Sequence, residues 1–352
     1  MPPETAPPPA AEAWIDDLLA QADAAEAQGA FALATAMLLR AAQATRAPSV
    51  RRRAGLALAR DGRMAEATDA LRSALVASPA DAEVHHALGL ALLALGRGPE
   101  GAALAEARFD LPRLGARKPA GFPYPEWRGG ALAGKRLALF PELSLGDQLL
   151  ASRYVPKLQA EGVAITLFCP PSLTRLFADS FPGAAIVAAT GEVQFEDPDA
   201  WTMITSLHVT LRPGSAPPAP ALRAAAENVR RGRRIALAPG ALPAKAAARL
   251  AAVAPEATIM LSAESDLAQV AAQMCACDLV ISADPDLTQL ASGLSRPTLA
   301  LAPAHDVHWS LAVGGRTQAW HPTVEVFRAG PGGQWGAAIE RVAQVADRAF
   351  SS

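Results

Sequence analysis

Apolar positions change their period along this chain of 352 residues, and each change marks a boundary. Residues 1–11 are Pro- and Ala-rich with no period, and are expected to form a disordered tail. From Trp14 to about Arg108, β-branched residues are sparse while Ala and Leu recur at helical spacing, which predicts helices over 12–110. Residues 111–130 carry Pro112, Pro119, Pro123 and Pro125 and end in Trp127-Arg128-Gly129-Gly130. Proline at that density forbids regular helix and makes a stiff linker. Beyond Lys135, apolar runs of strand length alternate with helical stretches. They fall at 136–140, 163–168, 184–189 and 202–209, then, after a Pro-rich break at 213–221, at 234–239, 257–262, 278–283 and 298–303. Strands apolar on both faces and separated by helices predict parallel sheet covered on both sides. Two such sets predict two doubly wound lobes, 131–215 and 222–350, with ligands at the C-terminal ends of the strands. The expected fold class is therefore α plus α/β.

A repeat lies inside the helical region. Gly55, Gly62 and Glu66 recur 34 residues later as Gly89, Gly96 and Glu100, and Gly29 stands 33 residues before Gly62. Pro79 closes one unit, and Leu88-Gly89 opens the next in the same phase. Small residues let paired helices approach closely, a Gly turn follows the first helix, and a 34-residue helix–turn–helix period is that of tetratricopeptide repeats. The stretch from Gly62 to Arg97 resembles that family. The resemblance implies a concave groove for a protein partner, with Arg52, His85 and His86 as its candidate lining.

Composition narrows the function classes. Hydrophobic residues make up 51% and charged residues 19%, enough for packed cores, and a formal charge of −2 gives no electrostatic case for nucleic acid. The basic clusters Arg51–Arg53 and Arg230, Arg231, Arg233, Arg234 are short, and read as solvated faces or interdomain contacts. Three cysteines, Cys169, Cys275 and Cys277, make no disulfide framework and fit a reducing compartment. The N-terminus lacks the basic and apolar regions of a signal peptide, and no apolar run reaches the roughly 18 residues of a spanning helix. A soluble cytoplasmic protein is expected. His305 and His308 flank Asp306, but no third ligand stands at fixed spacing, so no metal is expected.

Three stretches carry a second resemblance: Trp127–Leu158, Asp278–Pro303, and His308–Gly330 followed by Trp335. In order and spacing they resemble the heptosyltransferase-like (family nine type) GT-B module found behind tetratricopeptide repeats in bacterial proteins. The resemblance implies two Rossmann-like lobes and a nucleotide sugar as possible substrate, with no other cofactor. The family's Gly-Leu-Gly-Asp turn reads Ser144-Leu145-Gly146-Asp147 here. It implies Asp147 as candidate general base, since an inverting transfer needs a group to take the acceptor's proton. The alternative for Asp147 is a helix N-terminal carboxylate set against the macrodipole, an effect of about 0.3–1 kcal/mol.

On the donor side the chain departs from the family. A long polar turn shrinks to Pro239–Lys245, leaving Lys245 as its sole charge. The family's Asp-Thr-x-x-x-His-Leu-Ala-Gly becomes Asp284-Pro285-Asp286-Leu287-Thr288-Gln289-Leu290-Ala291-Ser292. Pro285 removes a hydroxyl and an N–H, Asp286 adds negative charge, and Gln289 replaces the His; each change weakens anion binding. Donor-binding candidates by resemblance are Lys245, Asp284, Thr288, Gln289 and His308. Trp309, Trp320, His321 and Pro322 match the family's aromatic segment, either for stacking on a ligand or for packing.

Two readings stand. In one, the donor site is eroded and the protein is a protein-binding scaffold or a weak or pseudo-glycosyltransferase. In the other, it is an active protein glycosyltransferase that moves a sugar to Ser or Thr of a repeat-bound bacterial surface or flagellar protein.

Overall fold

The computed structural model describes residues 9–211, 217–224, 234–254, 256–262, 266–312, 320–330 and 332–351. The chain divides into two compact units, one of Met1–Leu111 with Pro303–Val313 and Ala329–Gln334, the other of Pro112–Ala302 with Gly314–Arg328 and Trp335–Ser352.

The first unit is built from helices α1 (Pro9–Ala27), α2 (Phe31–Ala44), α3 (Pro48–Arg60), α4 (Met64–Ala77), α5 (Ala82–Ala94) and α6 (Gly98–Ala105). Helix α1 starts inside the stretch expected to be a disordered tail, of which residues 1–8 lie outside the described residues. The odd helices end alike. Gly29, Gly62 and Gly96 take φ of 70°, 75° and 76°, a left-handed conformation that glycine adopts without a Cβ penalty. The next residue's N–H then reaches back to the helix: Ala30 to Ala25, Arg63 to Leu58 and Arg97 to Leu92, at 2.8, 2.9 and 2.8 Å. Three turns 33 and 34 residues apart thus share one capping geometry. Leu58, Leu71, Val84, Leu88 and Leu92 bury a core between the later helices. Burying one such side chain stabilises by about 1.5–3 kcal/mol.

Most of the basic cluster on α3 is tied up within the same unit. Arg52 Nε lies 2.6 Å from Asp81 and its Nη2 reaches Glu83, Arg53 pairs with Asp23, and Arg51 donates to the Ser73 hydroxyl.

The second unit carries two parallel sheets. The first orders β3 (Ala185–Ala188), β2 (Ala164–Cys169), β1 (Arg136–Phe140) and β4 (Ala200–Met203). Its helices are α7 (Leu145–Ala151), α8 (Val155–Ala160), α9 (Pro171–Ser180) and α10 (Leu207–Thr210). The other sheet orders β6 (Thr258–Met260), β5 (Ile235–Ala238), β7 (Leu279–Ser282), β8 (Thr298–Ala302) and β9 (Val324–Arg328). Its helices are α11 (Ala244–Ala251), α12 (Leu267–Cys275), α13 (Pro285–Gly293) and α14 (Gly336–Ser351). All pairings between these strands are parallel. Parallel β–α–β units of this kind set the C-terminal strand ends, with the helix starts that follow them, on one edge of each sheet.

Two expectations need correction. The run 202–209 is strand only to Met203; Ile204–Ser206 form a 3-10 turn that leads into α10. Strand β9 was not foreseen, because Glu325 and Arg328 break up its apolar run; it pairs with β8 alone, at the sheet edge. The linker's end is held to the first sheet, with Trp127 N–H donating to Trp201 and Trp201 N–H to Pro125 at 2.6 and 3.0 Å. Within the proline break, 217–224 is described and Leu222 N–H donates to Gly293 at 3.1 Å, whereas Arg230, Arg231 and Arg233 lie outside the described residues. Among the described residues no helix is long and apolar enough to cross a membrane.

Candidate ligand cleft of the sheet unit

The turn from β1 to α7 is shaped by its own polar residues. Ser144 is the N-cap: its hydroxyl accepts from Asp147 N–H at 3.1 Å and donates to the Asp147 carboxylate at 2.8 Å, while Ser144 N–H donates to the same oxygen at 3.2 Å. This reciprocal capping box satisfies N–H groups that a helix start leaves open. The candidate base is thus also the cap's third residue. Just before it, Leu143 takes a φ of 60°, a left-handed conformation that costs a non-glycine residue about 1–2 kcal/mol. Glu142, buried beside it, accepts from the Thr205 hydroxyl. Glu142 is absent from the sequence-based site. The signal for it was available: a carboxylate two residues past a buried strand, where parallel sheets place ligands.

The turn from β7 to α13 is capped by Asp284, whose carboxylate accepts from Leu287 N–H at 2.9 Å. Pro285 follows at the first helical position, where its missing N–H would have had no intrahelical partner. Asp286 turns away from its own helix. Its Oδ1 accepts from Gly146 N–H at 2.7 Å, joining the starts of α7 and α13. A Cβ on Gly146 would fall 2.7 Å from that oxygen and 3.0 Å from Gln289 Cγ. Burial raises the Asp286 pKa, and the Asp284 and Asp147 carboxylates add to that, against hydrogen bonds from Gly146 and Ser144.

The other donor candidates are placed as follows. Thr288 is buried, its hydroxyl 2.8 Å from the Asp284 carbonyl and 2.9 Å from Ser282 Oγ. Gln289 is buried against Gly146. Lys245 is exposed on the first turn of α11. The turn before it is drawn in tightly: a Cβ at Gly240 would meet the Ala283 carbonyl at 2.7 Å. The structure therefore brings together Asp147, Asp284, Asp286 and Gln289. His308 belongs to the helical unit, where its Nδ1 lies 2.7 Å from Ser310 Oγ. There too, His305 Nδ1 lies 2.8 Å from Asp61. Among the described residues no group of His, Cys, Asp and Glu is arranged to hold a metal ion.

Of the partner candidates, Arg52 is committed to the ion pairs above. His86 Nδ1 lies 3.3 Å from the Ala105 carbonyl, and His85 is half-buried beside it on α5. Of the aromatic segment, Trp309, Trp320 and His321 are buried, with His321 Nδ1 2.7 Å from the Ser292 hydroxyl, so these three side chains pack.

No family model matches the chain, and no curated protein does. Solved structures similar to it include the iron-containing dodecameric glycosyltransferase TibC from enterotoxigenic E. coli, at 14% identity and a TM-score of 0.38. The match covers 53% of this chain and 62% of that one, so the chain spans under two thirds of it. E. coli ADP-heptose LPS heptosyltransferase II matches at 14% identity over 62% of this chain and 100% of that one, with a TM-score of 0.43. A mutant Thermobaculum terrenum O-GlcNAc transferase matches at 11% identity over 97% and 94%, with a TM-score of 0.28. By name these neighbours are a glycosyltransferase, a heptosyltransferase and an O-GlcNAc transferase, and the likeness to each is partial.

Proposed function

We propose that the chain is a tetratricopeptide-type helical scaffold joined to a GT-B glycosyltransferase-like module whose nucleotide-sugar site is eroded. It serves as a protein-binding scaffold or a weak or pseudo-glycosyltransferase. Three equivalent glycine turns at a 33- to 34-residue period support the first half. Two parallel sheets, each with its helix starts beside the C-terminal strand ends, support the second.

The observation that carries the reading is the hydrogen bond from Gly146 N–H to Asp286. A diphosphate wants backbone N–H groups and cations at such a turn. Here the N–H already has a carboxylate on it, and Asp147 and Asp284 surround it with like charge. Lys245 is the one cation left in the shortened turn after β5.

The alternative, an active protein glycosyltransferase acting on a repeat-bound acceptor, is favoured by one feature. Asp147 keeps its place at the turn, where it would accept the proton of an acceptor hydroxyl as the nucleotide departs.

Calorimetric titration of the full chain with a panel of nucleotide sugars separates the two. The eroded site binds none tightly, and Asp286→Ala strengthens binding by removing the charge on the N–H. Tight binding by the wild type that is lost in Asp286→Ala overturns the proposal. Turnover abolished by Asp147→Asn, by about 10²–10⁴, would establish the active enzyme.

A further inference from the structure

Elsewhere in the sheet unit is a buried cation that has no anion beside it among the described residues. Arg153 lies in the short 3-10 turn between α7 and α8 and is 4% exposed. Its Nε donates to the Leu150 carbonyl at 2.9 Å, and its Nη1 to those of Trp320 and Pro218 at 3.2 and 3.3 Å. The guanidinium also sits 5.5 Å from the centre of the Trp320 ring. Among the described residues, its hydrogen-bond partners are carbonyl dipoles. Buried arginines are ordinarily paired with an acid, because carbonyls return only part of the hydration that a full charge gives up. Burial accordingly lowers the Arg153 pKa to about 10.

Arg153 lines a cavity of about 450 Å³, together with Lys157, Gln159, Ser180, Leu222 and Arg223. That volume falls within the roughly 300–1,000 Å³ of small-molecule sites. Three of the lining residues are cationic, and among the described residues no acidic or aromatic side chain lines the space. Four prolines, Pro156, Pro182, Pro218 and Pro220, complete much of the wall. They stiffen it, so little ordering is needed on binding. Ser180 fixes the mouth, accepting from Arg223 N–H at 3.0 Å while donating to the Leu176 carbonyl at 2.7 Å.

We propose that this cavity is a binding site for the phosphate group of a small, non-aromatic phosphate monoester. A planar guanidinium and an ammonium suit phosphate oxygens, and three cations with no acid suit a dianion better than a single carboxylate. With no ring to stack on, a nucleobase has no place in it. Arg153 supplies the buried end of the site, and Lys157 and Arg223 its exposed rim. This inference does not depend on the reading of the cleft.

The test is titration of the full chain with glycerol 3-phosphate at fixed ionic strength, followed by calorimetry and thermal shift. The expected result is saturable binding at one site, with a weaker response to inorganic phosphate and none to acetate. Lys157→Ala and Arg223→Ala, both at exposed positions, each weaken it about tenfold or more, as loss of a charged hydrogen-bond partner implies. Arg153→Lys keeps the charge but cannot meet all three carbonyls, so it lowers the unliganded Tm along with the affinity, and the two rim variants decide the site. Lys135→Ala, an exposed lysine outside the cavity, is the charge control and leaves affinity unchanged. No saturable binding, equal binding of acetate, or equal weakening by Lys135→Ala overturns the site.

Discussion

Glycine lets two helices meet at two places in this chain, and what each glycine meets differs. In the helical unit, a Cβ at Gly89 would fall 2.5 Å from Ala105 N and 2.8 Å from the Gly101 carbonyl, and one at Gly101 would fall 2.7 Å from the Gly89 carbonyl. Backbone there lies against backbone, and neither side can yield without moving a helix. At Gly146 in the sheet unit the obstacle is a side chain, the Asp286 carboxylate at 2.7 Å, with the Asp286 Cα no closer than 3.4 Å. A carboxylate can rotate away. The first contact is architecture, fixed by packing of backbone on backbone; the second joins two helix starts through a side chain. Close approach alone therefore does not distinguish a structural glycine from one at a ligand site. The mobility of the neighbour does.

The largest expected effect follows from the first contact. At an unhindered helix position Gly→Ala stabilises by about 1 kcal/mol through backbone entropy. At Gly89 the clash with fixed backbone reverses the sign, and overpacking of this kind costs about 1–3 kcal/mol. Gly89→Ala should lower the midpoint of chemical denaturation of the helical unit. Gly55→Ala, whose Cβ would meet the buried Leu71 side chain at 2.8 Å and its backbone N only at 3.1 Å, should lower it less. Equal losses at the two positions would show that the nature of the neighbour does not matter here.

Much of this contrast was legible beforehand, and the illegible part has a common cause. The glycine period, the strand-length runs and the proline breaks are local signals, and they place the helices and most strands of the two units. Strand β9 escaped because it is an edge strand with charged residues in its run. The role of Asp286 escaped for a different reason: its partner Gly146 is 140 residues away, and nothing at either position names the other. In sequence Asp286 reads as charge added beside a candidate donor turn; in the structure it is the acceptor for Gly146 N–H. Arg153 escaped likewise. A lone arginine near a helix reads as surface, and only the fold reveals that carbonyls of Leu150, Pro218 and Trp320 converge on it. The Arg51–Arg53 cluster, read as a solvated face or an interdomain contact, is a partly exposed face whose side chains also pair within their own unit.

The second contact predicts a pH dependence. Asp286 has its pKa raised by burial, then by Asp284 and Asp147, so the folded protein holds this proton more tightly than the unfolded chain. Its contribution is fully present below the unfolded carboxylate pKa. It is lost as pH rises through the higher folded value. Asp286→Asn keeps the shape and an oxygen for Gly146 N–H while removing the charge. Against wild type it should be the more stable protein at pH 7, and the gap should close as pH falls below the ordinary carboxylate range. A gap that instead widens toward acid pH would mean that the charged form of Asp286 is the one the fold favours.

The smallest expected effect returns to the helical unit and tests whether its polar contacts matter as its packing does. Arg52 meets Asp81 at 2.6 Å and also reaches Glu83, tying α3 to the start of α5. Its side chain is 34% exposed, so water competes for both partners and salt screens them. Exposed pairs of this kind stabilise by about 0.2–1 kcal/mol. Asp81 keeps its capping bond to Val84 N–H at 3.1 Å whether or not the arginine is present. Arg52→Met retains most of the aliphatic stem and removes only the charge. It should therefore cost less than Gly89→Ala, with the difference from wild type shrinking further in 1 M salt, where the screening length falls to about 3 Å. Denaturant midpoints for wild type and both variants at low and high salt measure this directly. A loss from Arg52→Met that matches Gly89→Ala and survives high salt would mean that ion pairing, rather than backbone contact, sets the spacing of the helices.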